Sequence, residues 1–328
     1  MSKVAVIGDG GWGTALAILL QTKGIDTILW SAFPEYSELL KEKRENTKFL
    51  KGIPMPEELT ITSSVSDIEG AEYVFFVVPC EHLRSVLDKF KGLKCSNIIS
   101  AVKGVENGTL ERPSEILEEY FPESKICVVS GPSISYEVAR GIPTTVVIAS
   151  KDNGCKDVQD LMTTDRFRVY TSGDIIGVEM GGALKNIIAI AAGISDGLGF
   201  GTNTKAAILT RGLVEMTRLG VAMGADRTTF VGLSGIGDMA TTCISSHSRN
   251  RWFGEEIGKG GKIEDILSQT EMVVEGQATS KSVYELAKKY NVEMPVSEKV
   301  YEVLYEGKDP REAVKELMTR DPKEEDYE

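Results

Sequence analysis

The chain has 328 residues, 41% apolar and 26% charged, a globular composition with room for about two domains. A wholly disordered or fibrous chain is excluded. The formal net charge of −12 argues against a general nucleic-acid coat or an anionic membrane surface as partner, so an anionic substrate must be met by a local cluster of Lys and Arg.

Val4-Ala5-Val6-Ile7 predicts a first strand, entered directly from Met1-Ser2-Lys3 without the hydrophobic region of a signal peptide. A helix is expected from Trp12 to about Thr22, then a second strand at Thr27-Ile28-Leu29-Trp30. Tyr73 to Val78 is a continuous apolar run of strand length, as suits a sheet covered on both faces. Asn97–Ser100, Ile126–Val129 and Thr145–Ile148 repeat the pattern, with helical segments between, such as Leu83–Phe90 and Ser114–Tyr120. Strands alternating with helices predict a parallel, doubly wound α/β sheet of Rossmann type.

After about Gly177 the periodicity becomes helical throughout, as in Ala206–Leu219 and Val283–Tyr290. The expected organisation is a dinucleotide-binding domain over residues 1–177 and an all-helical, substrate-binding C-terminal domain over 178–328. No internal repeat is visible. The tail Asp321–Glu328 carries five acids and is expected to be a frayed, solvated end. Met180–Ser195 is the longest weakly charged stretch and falls short of the ~20 apolar residues of a membrane span, so a soluble chain is expected. Cys80, Cys95, Cys127, Cys155 and Cys243 form no CxxC pair, which favours buried free thiols in a reducing cytoplasm.

The first chemical motif is Gly8-Asp9-Gly10-Gly11-Trp12-Gly13, a GxGxxG placed between a strand and a helix. Gly8 permits the tight turn, Gly10 lets backbone approach a pyrophosphate, and Gly13 permits close helix–sheet packing. The helix start then offers N–H groups and a positive dipole to phosphates. A glycine-rich turn without ligand is the alternative. An acid near the second strand's end would bind the ribose of NAD, but Trp30-Ser31-Ala32-Phe33 offers neither acid nor base. Ser31 alone, donating to a ribose hydroxyl or a phosphate oxygen, would serve both coenzymes. Use of NAD and NADP within about tenfold of each other is therefore expected.

Lys185 is the only charge among the sixteen residues Met180–Ser195. A helix so apolar is largely buried, and desolvation lowers a lysine's pKa toward neutrality, fitting it to give and take a proton. A snorkelling lysine or a structural ion pair remains the other reading. Lys103 follows the Asn97–Ser100 strand, and Ser130-Gly131-Pro132-Ser133 follows a later one. Both are strand ends that face the ligand crevice of this architecture, though a solvated loop lysine and an ordinary turn fit as well. Ser245-Ser246-His247-Ser248-Arg249-Asn250-Arg251 precedes a helix and reads as a phosphate cradle or as a capped surface helix. Asp238, among glycines, is a candidate partner for an active-site cation. His82 and His247 have no ligand-spaced neighbours, so no metal site is expected.

Together these motifs resemble those of the bacterial and archaeal NAD(P)-dependent glycerol-3-phosphate dehydrogenases, from about Lys3 to Glu316. The resemblance rests on Gly8–Gly13, Val102-Lys103-Gly104, Ser130–Ser133, Gly181-Gly182-Ala183-Leu184-Lys185-Asn186, Gly197–Gly201, Gly237-Asp238, Ser248–Arg251 and Val274-Glu275-Gly276. It implies a Rossmann domain and a helical domain with the site between them, and Lys185 as the proton acceptor for the glycerol C2 hydroxyl. Lys103, Gly131, Ser133, Asp238, Ser248, Arg249 and Asn250 would surround dihydroxyacetone phosphate or glycerol 3-phosphate. Gly11, Trp12, Lys103, Ser135, Arg249, Val273 and Glu275 would meet NAD or NADP. A cytoplasmic homodimer supplying phospholipid synthesis is also implied. Two departures stand out: Ala32 where relatives carry Arg or His, and Gly11 where Ser is more usual. A hydroxy-acid dehydrogenase of similar plan and a non-enzymatic dinucleotide sensor are the rival functions.

Overall fold

The computed structural model describes residues 2–151, 154–270, 272–322 and 324–325. Lys323 and Asp326-Tyr327-Glu328 of the acidic tail lie outside the described residues. The chain divides into two compact units, one of residues 1–103 with 111–179, the other of 104–110 with 180–328. The join falls inside one long helix, two residues past the expected boundary. Nothing in the composition of Gly104–Leu110 marks it as part of the helical unit.

The first unit is an eight-stranded sheet: β1 (Lys3–Ile7), β2 (Asp26–Trp30), β3 (Thr60–Thr62), β4 (Tyr73–Phe76), β5 (Asn97–Ser100), β6 (Lys125–Ser130), β7 (Thr144–Ala149) and β8 (Phe167–Ser172). Their spatial order is 3-2-1-4-5-6-7-8, and the first six are the doubly wound dinucleotide-binding arrangement. The strands read as apolar runs because both faces are covered. Val4 and Val6 enter one core while Ala5 and Ile7 enter the other, and Phe75 opposes Val74 and Phe76 in the same way.

Two expectations need correction. β7 runs antiparallel to β6, so the sheet is mixed. The thirteen residues between them hold only the short helix Ser135–Ala139, too little for the crossover that parallel pairing needs. β3 and β8 are additional, edgeward strands. In β8, Phe167 and Val169 are buried while Arg168 and Tyr170 are exposed, a half-buried period of two rather than an apolar run.

The second unit contains no strand among its described residues. Its principal helices are Thr202–Ala222, Asp238–Ile244, Arg249–Gly258, Glu275–Tyr290 and Pro295–Tyr305, with the part of Ile175–Gly197 from Met180 onward. That last helix has 23 residues, and its most apolar 18-residue window has a mean hydropathy of 1.5, long and apolar enough to cross a bilayer by length and composition, contrary to the shorter span expected. Yet 94% of its most apolar window is buried inside the protein, the condition of a core helix. Two glycine pairs seat it against Arg249–Gly258. A Cβ on Gly193 or Gly197 would collide with the carbonyls of Arg251 and Glu255, and one on Gly254 or Gly258 with those of Ile190 and Ile194. The five cysteines are free thiols, and only Cys95 is not fully buried.

Candidate active site

In the first unit the glycine loop follows β1. Gly8 donates its N–H to Trp30 O at 3.0 Å and sits at φ +117°, a conformation that suits glycine. A Cβ on Gly8 would collide with the Val77 carbonyl, and one on Gly13 with the Gly8 carbonyl. A Cβ on Gly10 would meet nothing within 4 Å. Packing therefore explains the outer glycines and not the middle one, whose bare backbone fits close approach of a pyrophosphate. The helix Gly11–Thr22 begins there without a side-chain cap. Asn46 braces the loop, its amide donating to Asp9 O and Thr14 Oγ1, each at 2.7 Å. A Cβ at Gly11 would lie 2.8 Å from Phe49 O and 3.1 Å from the Ser135 hydroxyl, so the usual serine would need a backbone shift here. Trp12 is half-buried against the sheet core.

Ser31 differs from expectation. Its hydroxyl is fully buried and donates to Asp9 Oδ2 at 2.5 Å, so it is not turned toward a ligand. The end of β2 thus carries an acid after all, supplied by the glycine loop. Lys41 and Arg44 are engaged elsewhere: Lys41 pairs with Glu38 at 2.7 Å, and Arg44 donates to Leu59 O at 2.8 Å.

Lys103 stands half-buried beyond β5, and Gly131 and Ser133 beyond β6, at the carboxyl ends of their strands. Gly131 has φ +127°, with its absent Cβ facing Val146 Cα at 3.1 Å, and its carbonyl accepts the Ser133 hydroxyl at 2.9 Å.

The second unit holds the other group. Lys185 is 6% exposed and Asp238 2% exposed, and the Lys185 ammonium donates to Asp238 Oδ1 and, at 2.8 Å, to Thr242 Oγ1. The backbone explains the meeting. A π-turn at Leu233–Gly237, with Gly235 at non-helical φ/ψ, leads into the helix Asp238–Ile244 and places Asp238 in its first turn. Gly181 lets that turn approach the lysine helix, because a Cβ there would sit 2.5 Å from Ser234 O. Thr242 escaped the sequence reading, although its i+4 spacing from Asp238 on a helix was available as a signal.

The proposed cradle resolves into separate duties. Ser248 caps the helix Arg249–Gly258 by accepting Arg251 N–H at 3.2 Å. Asn250 is buried, donating to Asn186 Oδ1 at 3.0 Å and accepting Gly276 N–H at 2.9 Å. Arg251 pairs with Asp196 at 2.7 Å. Arg249 is exposed, donates to Val273 O at 3.3 Å and feels the charge of Glu275, so these three candidates do come together.

Comparison with known proteins finds relatives over nearly the whole chain. The family description "NAD-dependent glycerol-3-phosphate dehydrogenase N-terminus" matches residues 3–156 and the corresponding C-terminus description matches 174–315. A glycerol-3-phosphate dehydrogenase (NAD(P)+) of Chlorobium phaeobacteroides is 49% identical, over 99% of this chain and 100% of the relative. One from Citrifermentans bemidjiense is also 49% identical, over 98% of each. The crystal structure of glycerol-3-phosphate dehydrogenase from Coxiella burnetii superposes with a TM-score of 0.93 at 37% identity, covering 97% of this chain and 99% of that one. The chain belongs to the NAD-dependent glycerol-3-phosphate dehydrogenase family.

Proposed function

We propose that this chain catalyses reversible hydride transfer between NAD(P)H and dihydroxyacetone phosphate, giving sn-glycerol 3-phosphate. The observation that carries the reading is Lys185, a buried ammonium held by Asp238 and Thr242 and the single charge of the stretch Met180–Ser195. The bound coenzyme supplies the hydride to the C2 carbonyl carbon. Lys185 gives its proton to the developing C2 alkoxide, and in the oxidative direction takes the hydroxyl proton. Asp238 fixes the ammonium, and Lys103 positions and polarises the substrate beside Gly131 and Ser133. The phosphate is received by Arg249 and the N–H groups that open its helix, with Ser248 and Asn250 holding that helix start in shape.

Gly8, Gly10, Gly11, Trp12, Gly13 and Ser135 cradle NAD or NADP, with Lys103, Arg249, Val273 and Glu275 completing its contacts. The enzyme works as a cytoplasmic homodimer whose product enters phospholipid synthesis, and light scattering on the purified chain tests the dimer. The catalytic reading is tested by Lys185→Ala, expected to fold and to lose about 10²–10⁴ in kcat. Near-normal turnover in that variant overturns it. A panel setting dihydroxyacetone phosphate against 2-keto acids tests the substrate, with activity confined to the phosphate expected.

A further inference from the structure

The end of β2 is where a doubly wound nucleotide site distinguishes a bare adenosine ribose from one carrying a 2′-phosphate. The strand itself contributes nothing charged there: Ser31 is fully buried and Ala32 is apolar. The charge arrives from Asp9, between the first two glycines of the loop. Its Oδ2 accepts the Ser31 hydroxyl at 2.5 Å, which ties the carboxylate to the residue directly after β2. The Asp9 carbonyl is fixed as well, accepting the Asn46 amide at 2.7 Å. Backbone and side chain are thus both held, from β2 and from the segment beyond it. From this placement we propose that Asp9 supplies the ribose-reading carboxylate of the nucleotide site and makes this chain favour NAD(H) over NADP(H).

The inference rests on the dinucleotide reading given above and refines it. A carboxylate accepts hydrogen bonds from the 2′- and 3′-hydroxyls of a ribose. The same carboxylate repels a 2′-phosphate dianion, and it does so strongly where water is partly excluded. Burial pushes the Asp9 carboxyl up from its ordinary value while the Ser31 hydrogen bond and the Lys48 charge pull it back. That balance describes a sheltered group rather than one on a wet surface. Lys48 is the opposing feature, an exposed cation whose ammonium lies 5.1 Å from the Phe49 ring centre and 5.9 Å from that of Tyr36. Its charge lowers the cost of the Asp9 carboxylate without supplying a hydrogen-bond acceptor for the ribose hydroxyls.

The experiment measures binding, not turnover. NADH and NADPH are titrated into the full-length protein at neutral pH by nicotinamide fluorescence. Adenosine 5′-monophosphate and adenosine 2′,5′-bisphosphate serve as competitors. The wild-type chain is expected to bind NADH at least about tenfold more tightly than NADPH, a gap of about 1.4 kcal/mol. Asp9→Asn is expected to bring the two within about threefold, chiefly by tightening NADPH, and Ser31→Ala to fall between. A carboxylate that merely braced the loop would weaken both nucleotides equally and leave their ratio unchanged, which overturns the proposal. A wild-type chain that binds the two equally overturns it too, whatever the variants do. So does a preference for NADPH that Lys48→Ala abolishes, which assigns selection to the lysine. Binding of neither nucleotide overturns the dinucleotide reading itself, and this inference with it.

Discussion

Lys185 and Asp238 form a pair in which each charge is tolerable only because of the other. Removing one partner of a buried pair leaves an uncompensated charge, at a cost of about 3–5 kcal/mol. Asp238→Ala is therefore expected to lower stability by about that amount as well as activity, read by urea unfolding alongside steady-state rates. Thr242→Val removes one hydrogen bond to the ammonium, at 2.8 Å, together with the hydroxyl's own bond to the Asp238 carbonyl at 2.7 Å. Its expected loss is about 1 kcal/mol of stability, with a measurable fall in kcat because the lysine is less firmly aimed. A Thr242→Val loss as large as that of Asp238→Ala would mean that the hydroxyl, not the carboxylate, holds the lysine. The sequence exposed Lys185 because one charge in sixteen apolar-biased residues needs a reason. It did not expose Asn46 or Asp9, whose significance depends on which atoms the fold brings to the end of β2. The carboxylate at the end of β2 arrives from the glycine loop and not from the strand.

Between elements, contacts are decided by the smallest side chains and by carboxylates that cap helices from afar. The close seating of Ile175–Gly197 on Arg249–Gly258 depends on four glycines, and each would drive a Cβ into a partner carbonyl. Gly254→Ala must separate the two backbones, and overpacking of this kind costs typically about 1–3 kcal/mol. It should also raise the KM for dihydroxyacetone phosphate, because Arg249 rides on the displaced helix. An unchanged KM would disconnect that helix from the phosphate. Glu215, buried in the helix Thr202–Ala222, accepts Val296 N–H at 2.6 Å, Ser297 N–H at 3.0 Å and the Ser297 hydroxyl at 2.8 Å, so it caps Pro295–Tyr305. Burial pushes its carboxyl up to about 7 from an ordinary 4.5 despite those donors. Between these values the folded chain keeps a proton that the unfolded chain has released, so stability falls as pH rises through the window. The loss is about 3 kcal/mol at most. Urea unfolding at pH 5 and pH 7.5 should show wild type losing more than Glu215→Gln, and parallel losses would mean that Glu215 does not titrate there. Strand legibility followed the same logic of cover. The run at β4 was plain because both its faces are buried, whereas β8 was hidden because Arg168 and Tyr170 face water between Phe167 and Val169.

Across the whole molecule, the division of the chain does not follow a single cut. The chain leaves the first unit after Lys103, returns at Glu111 and leaves again after Glu179, the last time within an unbroken helix. That last crossing falls where an α/β pattern changes to a purely helical one in the sequence. The earlier excursion has no such signature: Gly104–Leu110 joins the helical unit through one backbone carbonyl and one side-chain amide. The fully buried Ser282 hydroxyl lies 2.9 Å from Val105 O and 2.6 Å from Asn107 Oδ1, both of them acceptors on that short segment. A contiguous fragment of residues 180–328 therefore lacks part of its own core. It leaves Ser282 without either acceptor, at about 1–3 kcal/mol for a buried unsatisfied donor, and it deprives the lysine helix of its first turn. Such a fragment is expected to melt without a sharp transition in circular dichroism. Joining residues 104–110 to its amino terminus through a flexible linker should restore part of the cooperativity. Ser282→Ala in the full chain isolates the hydrogen-bond share and should lower stability by about 1 kcal/mol. A bare 180–328 fragment that melts cooperatively at the full-length temperature would show that the excursion contributes nothing to the helical unit's stability.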